Sequence, residues 1–479
     1  MREKKIVVWF RNDLRLHDQE ALCRAAAKTA RVIPVYCFDP RQFGKTFLGF
    51  PKTGPFRTQF LLESVAALRA SFRSIGADLV VRVGKPEEVL PNLVEMTGAS
   101  AVYASQEVAE EETKVENNLE ARLWAKKIPL ERFWTSTLFH IDDIPYPIKN
   151  IPDVFTEFRK ESEKSTRVRP TLPAPSALAL ETDIHPGALP TLSELGITEM
   201  PAPDPRAVMT FQGGESEGLR RLRTYFWEED RLGVYKETRN GLVGAGYSTK
   251  FSPWLSYGCL SPRKVYEEVK RYEQERVAND STYWVVFELL WRDYFRFIAR
   301  KYGNAIFRPE GIRNDQRLVY SNDVRLFQKW VDGETGVPFV DANMQELKHT
   351  GFMSNRGRQN VASFLVKDLK VNWTYGATYF ESQLLDYDVC SNWCNWNYVA
   401  GVGNDPRENR YFDPVSQAKR YDPQGEYVKR WLPELAEVPP SRVHQVGDLS
   451  GEEQSRYGVV LGADYPHPVV KYGHSPART

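Results

Sequence analysis

The sequence predicts an α/β chain: a doubly wound, parallel, five-stranded sheet at the N-terminus, a Pro-rich connection, and then a large all-α domain. Three observations carry this. Short apolar runs rich in Val, Ile and aromatics alternate with helical patterns up to about residue 134, as expected of strands buried on both faces of a parallel sheet. Pro145, Pro147, Pro152, Pro170, Pro173, Pro175, Pro186 and Pro190 then break any long element. From about residue 205 the strand signal fades and helical periodicity takes over. The expected division is 1–134, 135–204 and 205–479.

In chain order, strands are expected at 6–10, 32–38, 79–83, 101–104 and 128–134, with helices near 20–29, 57–74, 86–97 and 110–126 between them. Ligands of such sheets sit at the carboxyl ends of the strands. No G-x-G-x-x-G or P-loop motif follows the first strand, which disfavours dinucleotide or triphosphate sites of those types. The proline-rich stretch 135–204 reads as an extended inter-domain connection. Helices follow at 217–229, 262–275, 282–302, 324–332, 341–349, 355–369 and 377–385. There is no internal repeat and no low-complexity tract.

At 479 residues with 42% hydrophobic and 27% charged content, the chain has room for two or three domains with large cores. Its 12 Trp, 23 Tyr and 25 Phe suit ring stacking and, equally, a large helical core. A net charge of +1 excludes a global basic field, so any nucleic-acid surface is a local patch. The 5 Cys and the lack of a secretory segment point to a reducing cytoplasm. Cys390 and Cys394 lie four apart, but no His or further Cys pair completes a tetrahedral site, so no metal is expected. The apolar run 6–10 is too short for a signal segment, and no run reaches transmembrane length.

Four segments concentrate chemistry. In 385–398, two carboxylates (Asp386, Asp388), Asn392 and several large aromatics crowd together. In a helix, Asp388, Asn392 and Trp396 share one face. That mixture suits a planar redox cofactor; the bland reading is a Trp-rich core helix with capping acids. In 247–253, Tyr247, Ser248, Thr249, Lys250 and Ser252 precede Pro253, a phosphate seat if Pro253 opens a helix, or else a plain capped turn. In 282–302, Glu288, Trp291 and Arg292 share a face. A carboxylate beside an indole can read and stack a nucleobase; the alternative is an Arg–Glu pair in a buried helix. In 351–360, Asn355, Arg358 and Gln359 share a face, while Arg356 and Arg358 alternate, so that one meets phosphate and the other pairs inside, for example with Asp386. Cations opening a helix oppose its dipole, which favours function over a solvated first turn.

With these segments in hand, the chain resembles the photolyase–cryptochrome family over nearly its whole length. The resemblance rests on Val8-Trp9-Phe10-Arg11-Asn12-Asp13-Leu14-Arg15, Phe211-Gln212-Gly213-Gly214-Glu215, Lys250-Phe251-Ser252-Pro253-Trp254-Leu255, Glu288-Leu289-Leu290-Trp291-Arg292-Asp293, Asn355-Arg356-Gly357-Arg358-Gln359-Asn360 and Asn392-Trp393-Cys394-Asn395-Trp396-Asn397-Tyr398. The last two runs, and an ending soon after Tyr465-Pro466-His467-Pro468, resemble DASH-type cryptochromes.

The resemblance implies FAD in the helical domain. Ser248, Thr249, Lys250, Phe251 and Ser252 would hold its pyrophosphate, with Tyr235 nearby and Arg292 among the cofactor contacts. Arg358 and Asp386 would pair against the isoalloxazine, Asp388 would lie near ring and ribose, and Asn392 would face N5. Trp396 and Trp373 would begin an electron relay. Tyr320 stands where the family has a third Trp, with Trp330, Tyr375 and Tyr379 as alternatives. Glu288, Trp291, Asn355, Gln359 and Tyr398 would line the pocket for a flipped pyrimidine dimer. Arg356 and Arg407 would grip DNA phosphates. The α/β domain would hold an antenna, methenyltetrahydrofolate, with Glu107 as its best-matched contact.

Tyr398 and Gln359 replace a Trp and a Met of standard dimer photolyases, a change shared with DASH members. The implied activity is light-driven repair of cyclobutane pyrimidine dimers by a monomer preferring single-stranded DNA. The alternative is a blue-light receptor that binds FAD and nucleic acid with little turnover. The intact Glu288, Trp291 and Asn392 favour repair. A redox-inert nucleotide-binding scaffold would require every aromatic constellation to be accidental.

Overall fold

The computed structural model describes residues 4–317, 319–407 and 410–470. Five strands, β1 (Ile6–Phe10), β2 (Val32–Phe38), β3 (Val80–Val83), β4 (Ala101–Ser105) and β5 (Leu130–Phe133), form one sheet in the order β3-β2-β1-β4-β5. All neighbours are parallel, and Ile6 at the sheet centre aligns with Val32 on one side and Ala101 on the other. Every residue of β1 is buried. Ile6, Val8 and Phe10 enter one core and Val7 and Trp9 the other, so the strand shows no apolar–polar alternation. Edge strand β5 has no fully buried residue and carries Glu131 and Arg132, charges that blunt an edge.

Helices α1 (Glu20–Lys28) and α2 (Pro55–Ser74) cover the first face; α3 (Pro86–Thr97) and α4 (Glu110–Trp124) cover the second. The order in which strands are added reverses between β1 and β4. Asn12, Asp13, Ser105 and Glu107 therefore meet at the carboxyl ends of those strands, where such sheets bind ligands.

The stretch expected to be extended throughout is not. An 11-residue helix, α5 (Phe155–Ser165), forms between Pro152 and Pro170. The proline count hid a helical spacing: Phe155, Phe158 and Ser162 share its buried face. Elsewhere the connection runs along the sheet domain, with Val81 N–H donating to Pro186 O at 2.7 Å and Leu178 N–H to Ile75 O at 2.8 Å.

The rest is helical: α6 (Glu215–Arg223), α7 (Tyr235–Thr238), α8 (Ser252–Ser256), α9 (Pro262–Glu275), α10 (Asp280–Tyr302), α11 (Val324–Asp332), α12 (Pro338–Thr350), α13 (Asn355–Ser363), α14 (Trp373–Gln383), α15 (Val389–Ala400), α16 (Pro414–Tyr421), α17 (Glu426–Trp431) and α18 (Gly451–Tyr457). Two periodic stretches expected as single α-helices, 217–229 and 355–369, end in π turns at Thr224–Glu228 and Phe364–Asp368; a π turn widens the helix without breaking it. Helix α14 starts four residues before the expected 377 because Asn372 caps it through Thr374 N–H. Among the described residues no helix is long and apolar enough to cross a membrane, and no group of three or more His, Cys, Asp or Glu could hold a metal.

The sheet and helical parts share one core cluster that contains both Ile6 and Val402. Polar clamps fix the contact. Leu14 N–H donates to Tyr257 O at 3.0 Å, Arg15 to Gly258 O at 2.7 Å, and Arg263 pairs with buried Asp18 at 2.6 Å. Gly258 has φ +63°, and a Cβ there would lie 2.1 Å from Asn12 O. Gly98 has nearly the same φ, +65°, with nothing within 4 Å. Gly98→Ala should therefore cost only the left-handed strain of about 1–2 kcal/mol, and Gly258→Ala clearly more. Thermal melting of the two variants checks this; equal losses would show that the backbones are not in tight contact.

Candidate functional site

A cavity of about 440 Å³ opens in the helical domain, within the range of small-molecule sites. Turn 247–252, α10, α13 and α15 build most of its wall.

The turn is held from behind by Arg221 of α6, whose guanidinium donates to Ala245 O at 2.9 Å, Ser248 O at 3.0 Å and Thr249 O at 3.0 Å. With those carbonyls tied back, Ser248, Thr249 and Ser252 line the cavity. Lys250 and Phe251 line it too, but the Lys250 amine is engaged locally. The residue sits at φ +55°, and its amine donates back to Ala245 O at 3.1 Å and lies 3.2 Å from the Tyr247 ring centroid. Burial, reinforced by Arg221, pulls its pKa down to about 6.

At the opposite wall the expected ion pair is formed. One Arg358 nitrogen donates to both Asp386 oxygens, at 2.8 and 3.0 Å, while Nε holds Met353 O at 2.9 Å. Asp388 is the N-cap of α15 rather than a residue within it, accepting from Ser391 N–H at 2.7 Å. Burial raises its pKa, but Arg296 and Arg292 outweigh this and hold the carboxyl below its usual range. Asn392 anchors its amide on Ala377 O at 3.0 Å.

One turn on, Trp396 packs against Gly376, where a Cβ would sit 2.2 Å from the indole. It makes edge contacts with Phe380 at 5.1 Å and Trp330 at 6.2 Å. Trp373, wholly buried, instead meets Trp393 at 5.8 Å. The Tyr320 hydroxyl is buried without a hydrogen-bond partner among the described residues. Burial, with Asp315 and Glu310 adding, raises its pKa to about 12.

The cavity mouth carries the base-reading candidates. Trp291 stacks on Phe155 of the unforeseen helix α5, 3.7 Å between centroids and 15° between planes, and Tyr398 stands edge-on to it at 5.9 Å and 89°. Asn355 opens α13 at the exposed rim. Glu288 pairs with Arg239, not with Arg292 as a same-helix pairing would have it. Arg292 spends its guanidinium on Ser136 O and Leu255 O. Arg356 donates to Asn240 and Gln417 and covers the Tyr421 ring at 4.5 Å. Arg407 is exposed on the loop after α15, beside Arg410, which donates to the Tyr398 hydroxyl at 2.9 Å.

Arg221, Arg239, Arg296 and Arg410 escaped sequence reading. Arg221, Arg239 and Arg296 act on partners far along the chain that no local spacing announces; Arg410 meets Asp405 and Tyr398 across an irregular loop, where no helical or strand period applies.

A second polar centre lies between the two domains. Glu107, 4% exposed, accepts from Arg296 at 2.6 Å and from Asn12 at 3.3 Å. Beside it, burial and the Glu107 charge push Glu112 up to about 7, and Glu112 Oε2 is buried with no hydrogen-bond partner among the described residues.

The main cavity fits a flavin dinucleotide by its chemistry. It has the hydroxyls of Ser248, Thr249 and Ser252, the Arg358–Asp386 pair, and two buried atoms with no hydrogen-bond partner among the described residues, Gln359 Oε1 and Tyr247 OH, on residues that line it; Asn392 lines a smaller pocket that shares Arg358, Asp386 and Asp388 with it. Comparison with known proteins agrees. Residues 6–176 match the family model described as DNA photolyase, and residues 284–479 the FAD binding domain of DNA photolyase. A cryptochrome DASH of Gloeobacter violaceus is 55% identical over 477 residues, covering 100% of this chain and 95% of the relative. A crystal structure of a Synechocystis cryptochrome superposes with TM-score 0.95 at 52% identity, covering 98% of each chain. A class III photolyase of Agrobacterium tumefaciens superposes with TM-score 0.83 at 27% identity, covering 98% of this chain and 95% of that one. The chain therefore belongs to the photolyase–cryptochrome family, on its DASH-type cryptochrome branch.

Proposed function

We propose that this protein repairs cyclobutane pyrimidine dimers in light, preferring single-stranded DNA, and that it acts as a monomer. The observation that carries the reading is the placement of base-stacking and flavin-type groups in one cavity. Trp291, backed by Phe155, has one ring face already covered and its edge near Tyr398 and Glu288, while Arg358, Asp386 and Asp388 line the same space. Bound FAD supplies the light-driven electron, chemistry no side chain here can perform. The protein's share is geometry. The wall of Ser248, Thr249 and Ser252 holds the dinucleotide, with Tyr235 nearby. Arg358–Asp386 and Asn392 orient the ring, with Asp388 at its edge. Trp291, Glu288, Asn355, Gln359 and Tyr398 receive the flipped dimer. Arg356 and Arg407 meet backbone phosphates, with Arg410 beside them. Methenyltetrahydrofolate as antenna would lie at the domain seam by Glu107, where the buried Glu112 oxygen offers a further acceptor or acid.

One observation favours the photoreceptor reading. Glu288 is already engaged by Arg239, so a base edge gains that carboxylate only by displacing a guanidinium.

The relay should start at Trp396. Oxidation of a phenol expels its proton, and the Tyr320 hydroxyl meets no acceptor among the described residues, which argues against it as terminal donor. Trp330 is in ring contact with Trp396, and Tyr379 lies 5.7 Å beyond Trp330. Trp396→Phe should slow photoreduction of the bound flavin at least tenfold, Trp330→Phe and Trp373→Phe should show by their relative losses which branch carries the current, and Tyr320→Phe should change nothing. Transient absorption reads all four; a Tyr320→Phe variant with a lost radical signal would restore Tyr320 to the relay.

Strand preference follows from energetics. Flipping a dimer from a duplex costs a few kcal/mol, and stacking on an indole returns about 1–3 kcal/mol per base. Here only Trp291 offers an indole at the mouth; Tyr398 is smaller, edge-on and tied to Arg410. Under matched salt, repair of single-stranded dimers should exceed duplex repair at least tenfold. Glu288→Ala should weaken repair without releasing FAD, and Tyr398→Trp should narrow the strand gap. Equal repair of both wild-type substrates would refute the preference, and repair of neither would favour the photoreceptor.

A further inference from the structure

Arg296 of α10 touches both polar centres. Its side chain is 3% exposed and lies between Glu107 of the sheet domain, at 2.6 Å, and Asp388 of the helical domain, at 3.1 Å. The two nitrogens are divided, Nη1 to Glu107 and Nη2 to Asp388. Asp388 is divided too: Oδ2 takes Arg296 and Oδ1 caps α15 through Ser391 N–H at 2.7 Å. Helix α15 carries Asn392 and Trp396 into the cavity region. A continuous chain of charge-assisted hydrogen bonds thus runs from the carboxyl end of β4 to the first turn of the helix that faces the cofactor site. Such bonds are short, directional and about twice as strong as neutral ones, and Arg296 cannot tighten on one carboxylate without loosening on the other.

We propose that Arg296 is a positioning residue through which the hydrogen-bonding state of Glu107 sets how Asp388 is presented to the flavin. The inference rests on the cavity being the flavin site. A ligand at the domain seam that donates to Glu107 replaces Nη1 there, and Arg296 then turns wholly to Asp388. This would offset more of the Asp388 charge at the cavity and would favour the reduced, more negative flavin. By linkage, reduction of the flavin strengthens seam binding by the same factor. Arrival of a seam chromophore and readiness of the flavin to accept an electron are then one equilibrium.

A double-mutant cycle read by the flavin midpoint potential separates this from plain charge effects, because potential is independent of turnover. Glu107→Gln exchanges the charged acceptor for a weaker neutral one and so loosens Nη1 without any added ligand. In the parent chain it should shift the reduction equilibrium toward reduced flavin by on the order of fivefold, the low end for coupled sites. In the Arg296→Met background the same change should shift it less than twofold. Should the Met variant fail to fold with two unpaired carboxylates, Arg296→Lys keeps the charge but lacks the two-pronged fork that spans both partners, and the coupling should vanish there too. Equal shifts in all backgrounds mean that Glu107 acts through space alone and overturn the proposal, as does no shift in the parent. Flavin content is measured first by release on denaturation. A parent chain without flavin sinks the reading of the cavity, and this inference with it; a flavin-loaded chain without the excess shift sinks the coupling alone.

Discussion

The site depends on how α10 and α15 are locked together. Asp388 caps α15 with one oxygen and holds Arg296 of α10 with the other. On the same helix α10, Asp293 accepts the backbone N–H groups of Leu138 and Phe139 at 2.9 and 2.8 Å, and Arg292 ties Ser136 to Leu255. One helix therefore positions the domain connection, the phosphate-side turn and the helix carrying Asn392 and Trp396. Such buried charges add little net stability while paired, but losing a single partner costs about 3–5 kcal/mol. Removing any one of these partners should therefore disturb all three elements at once.

Around that lock, the cavity separates its tasks. Its inner walls are ionic and hydroxylic; its mouth is aromatic. Trp291 is pressed flat against Phe155, so its orientation is fixed before any base arrives. Tyr398 is held by Arg410, which also pairs with Asp405. The loop after α15 is thereby wired to the ring that lies across the mouth.

Much of this was legible in the sequence, for identifiable reasons. The strands were, because β1 and β2 are buried on both faces and read as unbroken apolar runs. The Arg358–Asp386 pair was, because Arg356 and Arg358 alternate on a helix that opens with a basic turn. Helix α5 was not: prolines flanking a short amphipathic segment look like those of an extended linker. The fate of Lys250 was not, because only the fold shows that its amine turns back onto Tyr247. The carbonyl clamp of Arg221 and the bridge of Arg296 were not, since their partners are supplied by the fold. Spacing placed Glu288 and Arg292 on one face correctly, but it could not reveal that each would find a partner elsewhere.

The central claim is that one cavity seats the flavin against its inner ionic wall and a flipped pyrimidine dimer at its aromatic mouth. A crystal structure of the flavin-loaded protein with a dimer-containing single-stranded oligonucleotide tests it most directly. The expected result places the isoalloxazine against Arg358 and Asp386, with the flipped dimer on the free face of Trp291, within reach of Glu288 and Gln359. A dimer bound outside this cavity, or a flavin ring away from the Arg358–Asp386 pair, would contradict it.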